Sequence, residues 1–260
     1  MGGLSLWAGF VALMAYAVAA LPGPHAGRAA PRALALAVTA HALMLAVEIG
    51  VAGVAGPRLG FGPVLSLTVC LVIAVHTVES RGAPLPSVRR ILACAGGSAV
   101  ALAMAYPGEA RALGSPWAPL HWMLGVAAYG LLGAAVLHAL LLDGAERRMR
   151  LRRAGPAGAF GMPLLQVERL TFRFVQAGFA VLSAAILLGV FTTAHWRWDH
   201  KTVLSLVGWA IFAALLLGRH RWGWRGQRAT RWVYAGALVL LLAYVGSRFV
   251  LEVLLDRRGG

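Results

Sequence analysis

Residues 120–142 read "LHWMLGVAAYGLLGAAVLHALLL", twenty-three positions without one Asp, Glu, Lys or Arg. As a helix, such a run is long enough to cross a hydrocarbon layer, which takes about 20 residues. It then stops abruptly against "DGAERRMRLRR", residues 143–153, where charge returns in a block. Apolar runs of membrane length ending on basic islands are the pattern of the whole chain.

Seven further runs of this kind predict an all-α, polytopic membrane bundle of eight transmembrane helices. They extend over Leu4–Leu21, Ala33–Val54, Phe61–Glu79, Ile91–Tyr106, Pro119–Leu142, Leu170–Phe191, Lys201–Gly218 and Arg231–Val253. Pro- and Gly-rich connections such as "LPGPHAGRAAPR", "RGAPLPSVRR" and "YPGEARALGSPWAP" end the helices by removing donors and restricting φ. Composition agrees: 60% of the 260 residues are hydrophobic, only 13% are charged and the mean hydropathy is +0.74. That is more apolar surface than one soluble core of this size would hide. Spanning strands would alternate apolar and polar residues over segments of about 10 positions, and no such segment occurs.

The formal net charge of +15 raises nucleic acid as a partner. The distribution of the charge points instead to membrane topology. Seventeen of the 24 Lys and Arg fall on the connections after helices one, three, five and seven; six lie on the other side, and Arg248 lies within helix eight. By the positive-inside rule both termini face the outer, non-cytoplasmic side. No basic residue precedes the first run, so it is expected to be retained as a helix and not cleaved as a signal peptide. The Arg-rich connection after helix five is expected to extend that helix against anionic lipid. Cys70 and Cys94 sit inside apolar runs, in neither a CxxC nor a CxxCH arrangement, and read as packed free thiols. One integral membrane domain, 1–260, is expected, with 1–118 the less specific four-helix half.

The polar chemistry concentrates at "AHWRWDHKT", residues 194–202, on the short outer connection between helices six and seven. Trp196 and Trp198 have an ordinary role there as rings at headgroup level. His121 begins helix five and His200 begins helix seven on this same side. Two imidazoles at one level can take both axial positions of a haem iron. His195, in the loop itself, is more simply solvated. The inner histidines are His41, His76 and His138. His121 and His138 stand about 25 Å apart along one helix, so they cannot share a metal. For His76 a local hydrogen bond to Glu79 is the simpler reading. Glu48 is the deepest acid and shares a helix face with His41, so it is expected to be protonated or paired with His41 or Arg248. Arg248 alternatively meets a haem propionate. No GxSxG, HExxH or Gly-rich phosphate loop is present, nor a close carboxylate pair at one level, so an enzyme with its own hydrolytic or redox motif is not expected.

From about Pro119 onward the chain resembles the cytochrome c assembly protein family of haem-handling membrane proteins, and most of all its eight-helix YpjD or HemX-like bacterial branch. The residues that carry the likeness are "LHWMLGVAAYGLLGAAVLHALLL" (120–142), "MPLLQVERLTFRFVQAGFAVLSAAILLGV" (162–190), "DHKTVLSLVGWAIFAALLLGR" (199–219), "GWRGQRATRW" (223–232) and "LLAYVGSRFVLEVLL" (241–255). The resemblance implies a Trp-rich outer platform for haem b, which falls on Trp196, Trp198 and Asp199, with an axial ligand at His121. It also implies haem entry past histidines within the membrane, for which His41 and His138 are candidates. The outer loop is shorter than the family's full platform, and His200 takes the place of a second outer histidine after the core. The expected function is haem binding, or haem transfer toward the outer face, in cytochrome c assembly. Expected partners are the lipid bilayer, haem, and another membrane subunit or apocytochrome c. The competing class is a regulatory or accessory membrane protein without haem, in which His and Trp only pack and anchor. A transporter would need broken helices at matching positions in two halves, and none is seen.

Overall fold

The computed structural model describes residues 2–21, 29–50, 58, 60–79, 86–108, 116–151, 163–192 and 198–246. Among these are eight helices, α1 Gly3–Ala20, α2 Ala29–Gly50, α3 Phe61–Glu79, α4 Pro86–Ala105, α5 Ala118–Arg150, α6 Leu164–Thr192, α7 His200–Trp222 and α8 Gly226–Leu241, long and apolar enough to cross a membrane, the last with its continuation to Gly246. A π-helical turn, Leu242–Gly246, continues α8. The protein is a multi-pass protein of the inner membrane.

Several boundaries differ from the hydropathy reading, for identifiable reasons. Helix α3 matches it, but α4 begins at Pro86 and α8 at Gly226, each five residues before the expected start. In both cases arginines opened the helix and were read as connection. Pro86 suits a first helical position because its missing N–H has no intrahelical partner there. Arg89 is buried because its Nε donates to the carbonyl of Ala19 at 3.1 Å, satisfying the C-terminal end of α1. Helix α5 runs 33 residues, through Arg147, Arg148 and Arg150, as the Arg-rich stretch led us to expect. At 1.5 Å per residue that is about 50 Å, so it outreaches a hydrocarbon core of about 30 Å.

The chain falls into two compact units, one built on α1–α4 and one on α5–α8 with the π turn. In the first, α1 packs against α2 and α4, and α3 against α4. Ala8, Ala12, Ala15 and Ala19 form the buried stripe of α1, spaced by three and four residues, while Trp7, Phe10 and Met14 are exposed on its other side. Lipid is as apolar as leucine, so helices in a bilayer gain most by close backbone approach across small residues. Gly62 provides such an approach: a Cβ there would lie 2.5 Å from the Tyr106 carbonyl oxygen and 3.0 Å from that of Leu102.

The second unit is a hairpin of α5 and α6 joined to a hairpin of α7 and α8 through α5 and α8. Leu132, Phe172, Val175, Phe212, Leu215 and Leu240 form its core. The large side chains seat on glycines of the facing helix: Leu132 over Gly178, Leu240 over Gly208 and Phe212 over Gly236. Asp199 starts α7 as its N-cap, its Oδ1 accepting from Thr202 N at 2.8 Å. Gly223, at φ 63°, ends α7 in the left-handed conformation that glycine adopts without a Cβ penalty.

Candidate functional site

His121 lies one turn into α5, after Trp117 and Pro119. Its Nδ1 donates to the Ala185 carbonyl of α6 at 3.0 Å. Because a carbonyl can only accept, this bond selects the Nδ1–H tautomer and leaves the lone pair on Nε2. Gly189, one turn beyond Ala185, makes room for the ring: a Cβ there would sit 3.1 Å from His121 Cε1. The carbonyl thereby fixes both the orientation and the tautomer of the ring.

The start of α7 belongs to the same end of this unit. Trp198 is exposed, and so is His200 at the first helical position. The ammonium of the next residue, Lys201, lies 5.1 Å from the Tyr244 ring centroid and within electrostatic reach of His121. Asp199 uses one carboxylate oxygen to cap the helix. Trp196, His195 and Arg248 lie outside the described residues. Tyr244 sits on the π turn, a wider helical turn often found at functional positions. Deeper in the unit, Trp209 Nε1 donates to Ser183 Oγ at 2.8 Å and stacks on Phe179, with ring centroids 5.5 Å apart. Among the described residues no three His, Cys, Asp or Glu side chains converge to hold a bare metal ion.

The inner histidines have separate surroundings. His138 is fully buried; its Nδ1 donates to the Ala134 carbonyl one turn back at 2.8 Å, and its ring packs on Phe174. His41, in the first unit, bridges Tyr16 Oη at Nδ1 (3.0 Å) and Ser66 Oγ at Nε2 (2.6 Å). Both of its ring nitrogens are engaged, tying α2 to α1 and α3. His76 is buried near the end of α3. Cys70 and Cys94 are free thiols.

Of the partners expected for Glu48, His41 is overturned, while Arg248 lies outside the described residues. Glu48 accepts from Ser5 Oγ and meets Arg58 Nη1 at 3.6 Å, while His41 is committed elsewhere. Seven residues do bring Glu48 onto the face of His41, but they also separate the two by about 10 Å along the axis, too far for contact.

Hydropathy reading missed an ionic cluster at the opposite end of the second unit. Glu168 on α6 is buried and accepts from Arg225 at two points, Nε–Oε1 2.9 Å and Nη2–Oε2 2.7 Å, and from Arg219 Nη1 at 3.2 Å. The carboxylate holds the Arg225 guanidinium above its ordinary pKa. Arg219 also lies 3.4 Å over the Phe172 ring. Nearby, Asp143 accepts from Thr230 Oγ1 at 2.9 Å and Tyr234 Oη at 2.8 Å. A lone acid in the inner arginine-rich segment "QVERLTFR" is the available signal, and a count of Lys and Arg alone passes over it.

A family model described as cytochrome C assembly protein matches residues 33–255. The chain is 30% identical over 230 residues to the inner membrane protein YpjD of Escherichia coli K12, covering 84% of this chain and 85% of that one. It is 36% identical over 166 residues to an uncharacterized 28.8 kDa protein of Azospirillum brasilense, covering 61% of each. Against the cytochrome c biogenesis protein CcsA of Parasynechococcus marenigrum the identity is 26% over 161 residues, 52% of this chain and 53% of the relative. No solved structure matches the chain. Eight spans and a match reaching from α2 past the π turn lead to one conclusion: the chain belongs to the cytochrome c assembly protein family.

Proposed function

We propose that the protein handles haem b for cytochrome c assembly at the end of the membrane where α5 and α7 begin, which the distribution of Lys and Arg assigns to the outer face. The observation that carries the reading is the His121–Ala185 bond, which presents Nε2 as the lone-pair nitrogen. His121 would supply one axial ligand. His200, exposed at the start of α7, is the second imidazole at that end. Trp196 and Trp198 would cover the macrocycle, with Asp199 holding the start of α7 beneath them. Haem brings its own four equatorial nitrogens, so two imidazoles suffice where no three-ligand cluster forms. Arg248 is the proposed partner of a propionate. His138 is a candidate for an inner position on the haem path; His41 reads as structural, because binding there would break one of its two hydrogen bonds.

The role is binding and presentation, with apocytochrome c or a further membrane subunit as receiver. The test is the visible spectrum of the detergent-purified chain after titration with haem. A Soret band that shifts or disappears in His121→Ala and His200→Ala supports the reading. An absent band, or one indifferent to both changes, leaves an accessory membrane protein.

A further inference from the structure

The turn between α7 and α8 carries a second set of groups, independent of the haem reading. His220, Arg221, Arg225, Arg228 and Arg231 are all exposed within residues 220–231. Tryptophans alternate with them. Trp224 is central: it stacks on Trp222 with ring centroids 5.9 Å apart and meets Trp232 at 5.3 Å. Its ring lies where a Cβ on Gly218 would otherwise stand, only 2.4 Å away. The Arg228 guanidinium is held 4.3 Å over the same ring. The result is a fixed aromatic plate with a cation laid on it, and Trp222 is exposed at its edge.

The described carboxylates at this end are already engaged. Glu168 is matched by Arg225 and Arg219, Asp143 by Thr230 and Tyr234, and Glu146 by Arg150 at 3.6 Å. Among the described residues neither Arg221 nor Arg228 is paired with a carboxylate, so both guanidiniums are open to an external anion. Indole rings favour the headgroup level of a bilayer, which brings the neighbouring guanidiniums to the height of lipid phosphates. A planar guanidinium fits a phosphate in a two-point geometry that an ammonium does not reproduce.

We propose that the α7–α8 turn is a binding site for the phosphate headgroup of an anionic phospholipid, with Arg221 and Arg228 as its cations and the Trp222–Trp224 plate as its support. An acidic protein segment would satisfy the charge but would not call for a stacked indole plate at the membrane boundary.

The experiment uses the full chain in neutral detergent, with lipid adducts followed by native mass spectrometry and thermal unfolding. Phosphatidylglycerol or cardiolipin is compared with phosphatidylcholine and with inorganic phosphate. Expected are retention and stabilisation by the anionic lipids alone. The double variant Arg221→Gln, Arg228→Gln should weaken binding by roughly thirtyfold, about fivefold for each cation lost. The equally charge-depleted control Arg147→Gln, Arg148→Gln on α5, which removes general attraction to anionic lipid but no guanidinium beside the indole plate, should lose clearly less than the double variant. Arg228→Lys, which keeps the charge, should lose part of the affinity and guards against a folding defect in the double variant. Stabilisation by phosphatidylcholine to the same degree overturns the site. Full reproduction by inorganic phosphate overturns the lipid as its source. Equal loss in the α5 control shows general attraction to a charged surface, and that also overturns it.

Discussion

Glu168 and Arg225, fifty-seven residues apart, meet through two parallel hydrogen bonds, and Arg219 closes on the same carboxylate from the end of α7. One buried acid thus ties α6 to the α7–α8 turn. Removing it leaves two guanidiniums without their anion, whereas removing one arginine leaves a pair. Glu168→Ala should therefore lower the unfolding temperature more than Arg225→Ala does, and Glu168→Gln should fall between them. Equal effects from Glu168→Ala and Arg225→Ala in thermal unfolding would contradict a shared clamp.

His41 joins two hydroxyls that have no access to water. Stranding a buried polar group costs about 1–3 kcal/mol, whereas replacing all partners by apolar groups costs much less. His41→Leu alone should be clearly destabilising, and adding Tyr16→Phe with Ser66→Ala should restore part of the loss. Chemical unfolding of the single and triple variants reads the difference. A triple variant less stable than the single one would refute a hydrogen-bonded bridge.

Glycine substitutions should separate by what their new Cβ meets. At Gly62 it meets backbone carbonyls, which cannot yield without shifting α4; at Gly178 it meets Leu132 at 2.7 Å, a side chain with some freedom; at Gly125 it meets nothing within 4 Å. Overpacking costs roughly 1–3 kcal/mol. The order of destabilisation should be Gly62→Ala, then Gly178→Ala, with Gly125→Ala near the parent. Any other order in unfolding measurements contradicts the packing described.

Asp199 separates capping from a direct role in haem binding. As the N-cap of α7 its loss in Asp199→Ala should cost about 1 kcal/mol, and Asp199→Asn should keep most of the stability. If the carboxylate also acts electrostatically on haem, Asp199→Asn will change the Soret titration while leaving thermal unfolding nearly unchanged. If both variants move haem affinity and stability in proportion, the residue acts through the helix alone.

What the sequence determined by itself is the set of spans. A bilayer requires about 20 apolar residues per crossing and every backbone group satisfied within the helix, so length and hydropathy decide helices one at a time, without knowledge of neighbours. Helix α3 appears in the residues as it does in the fold, and the likeness of residues 119–260 to a haem-handling family needs no coordinates. The tertiary structure alone decided which polar groups meet. Glu48 and His41 share a face yet take Ser5, Arg58, Tyr16 and Ser66 as partners, all from other parts of the chain. His121 is oriented by a carbonyl sixty-four residues away, and Glu168 by arginines at the end of α7 and in the α7–α8 turn. The physical reason is range: crossing a membrane is a property of one segment, whereas a hydrogen bond acts over about 3 Å and depends on which helix packing brings alongside.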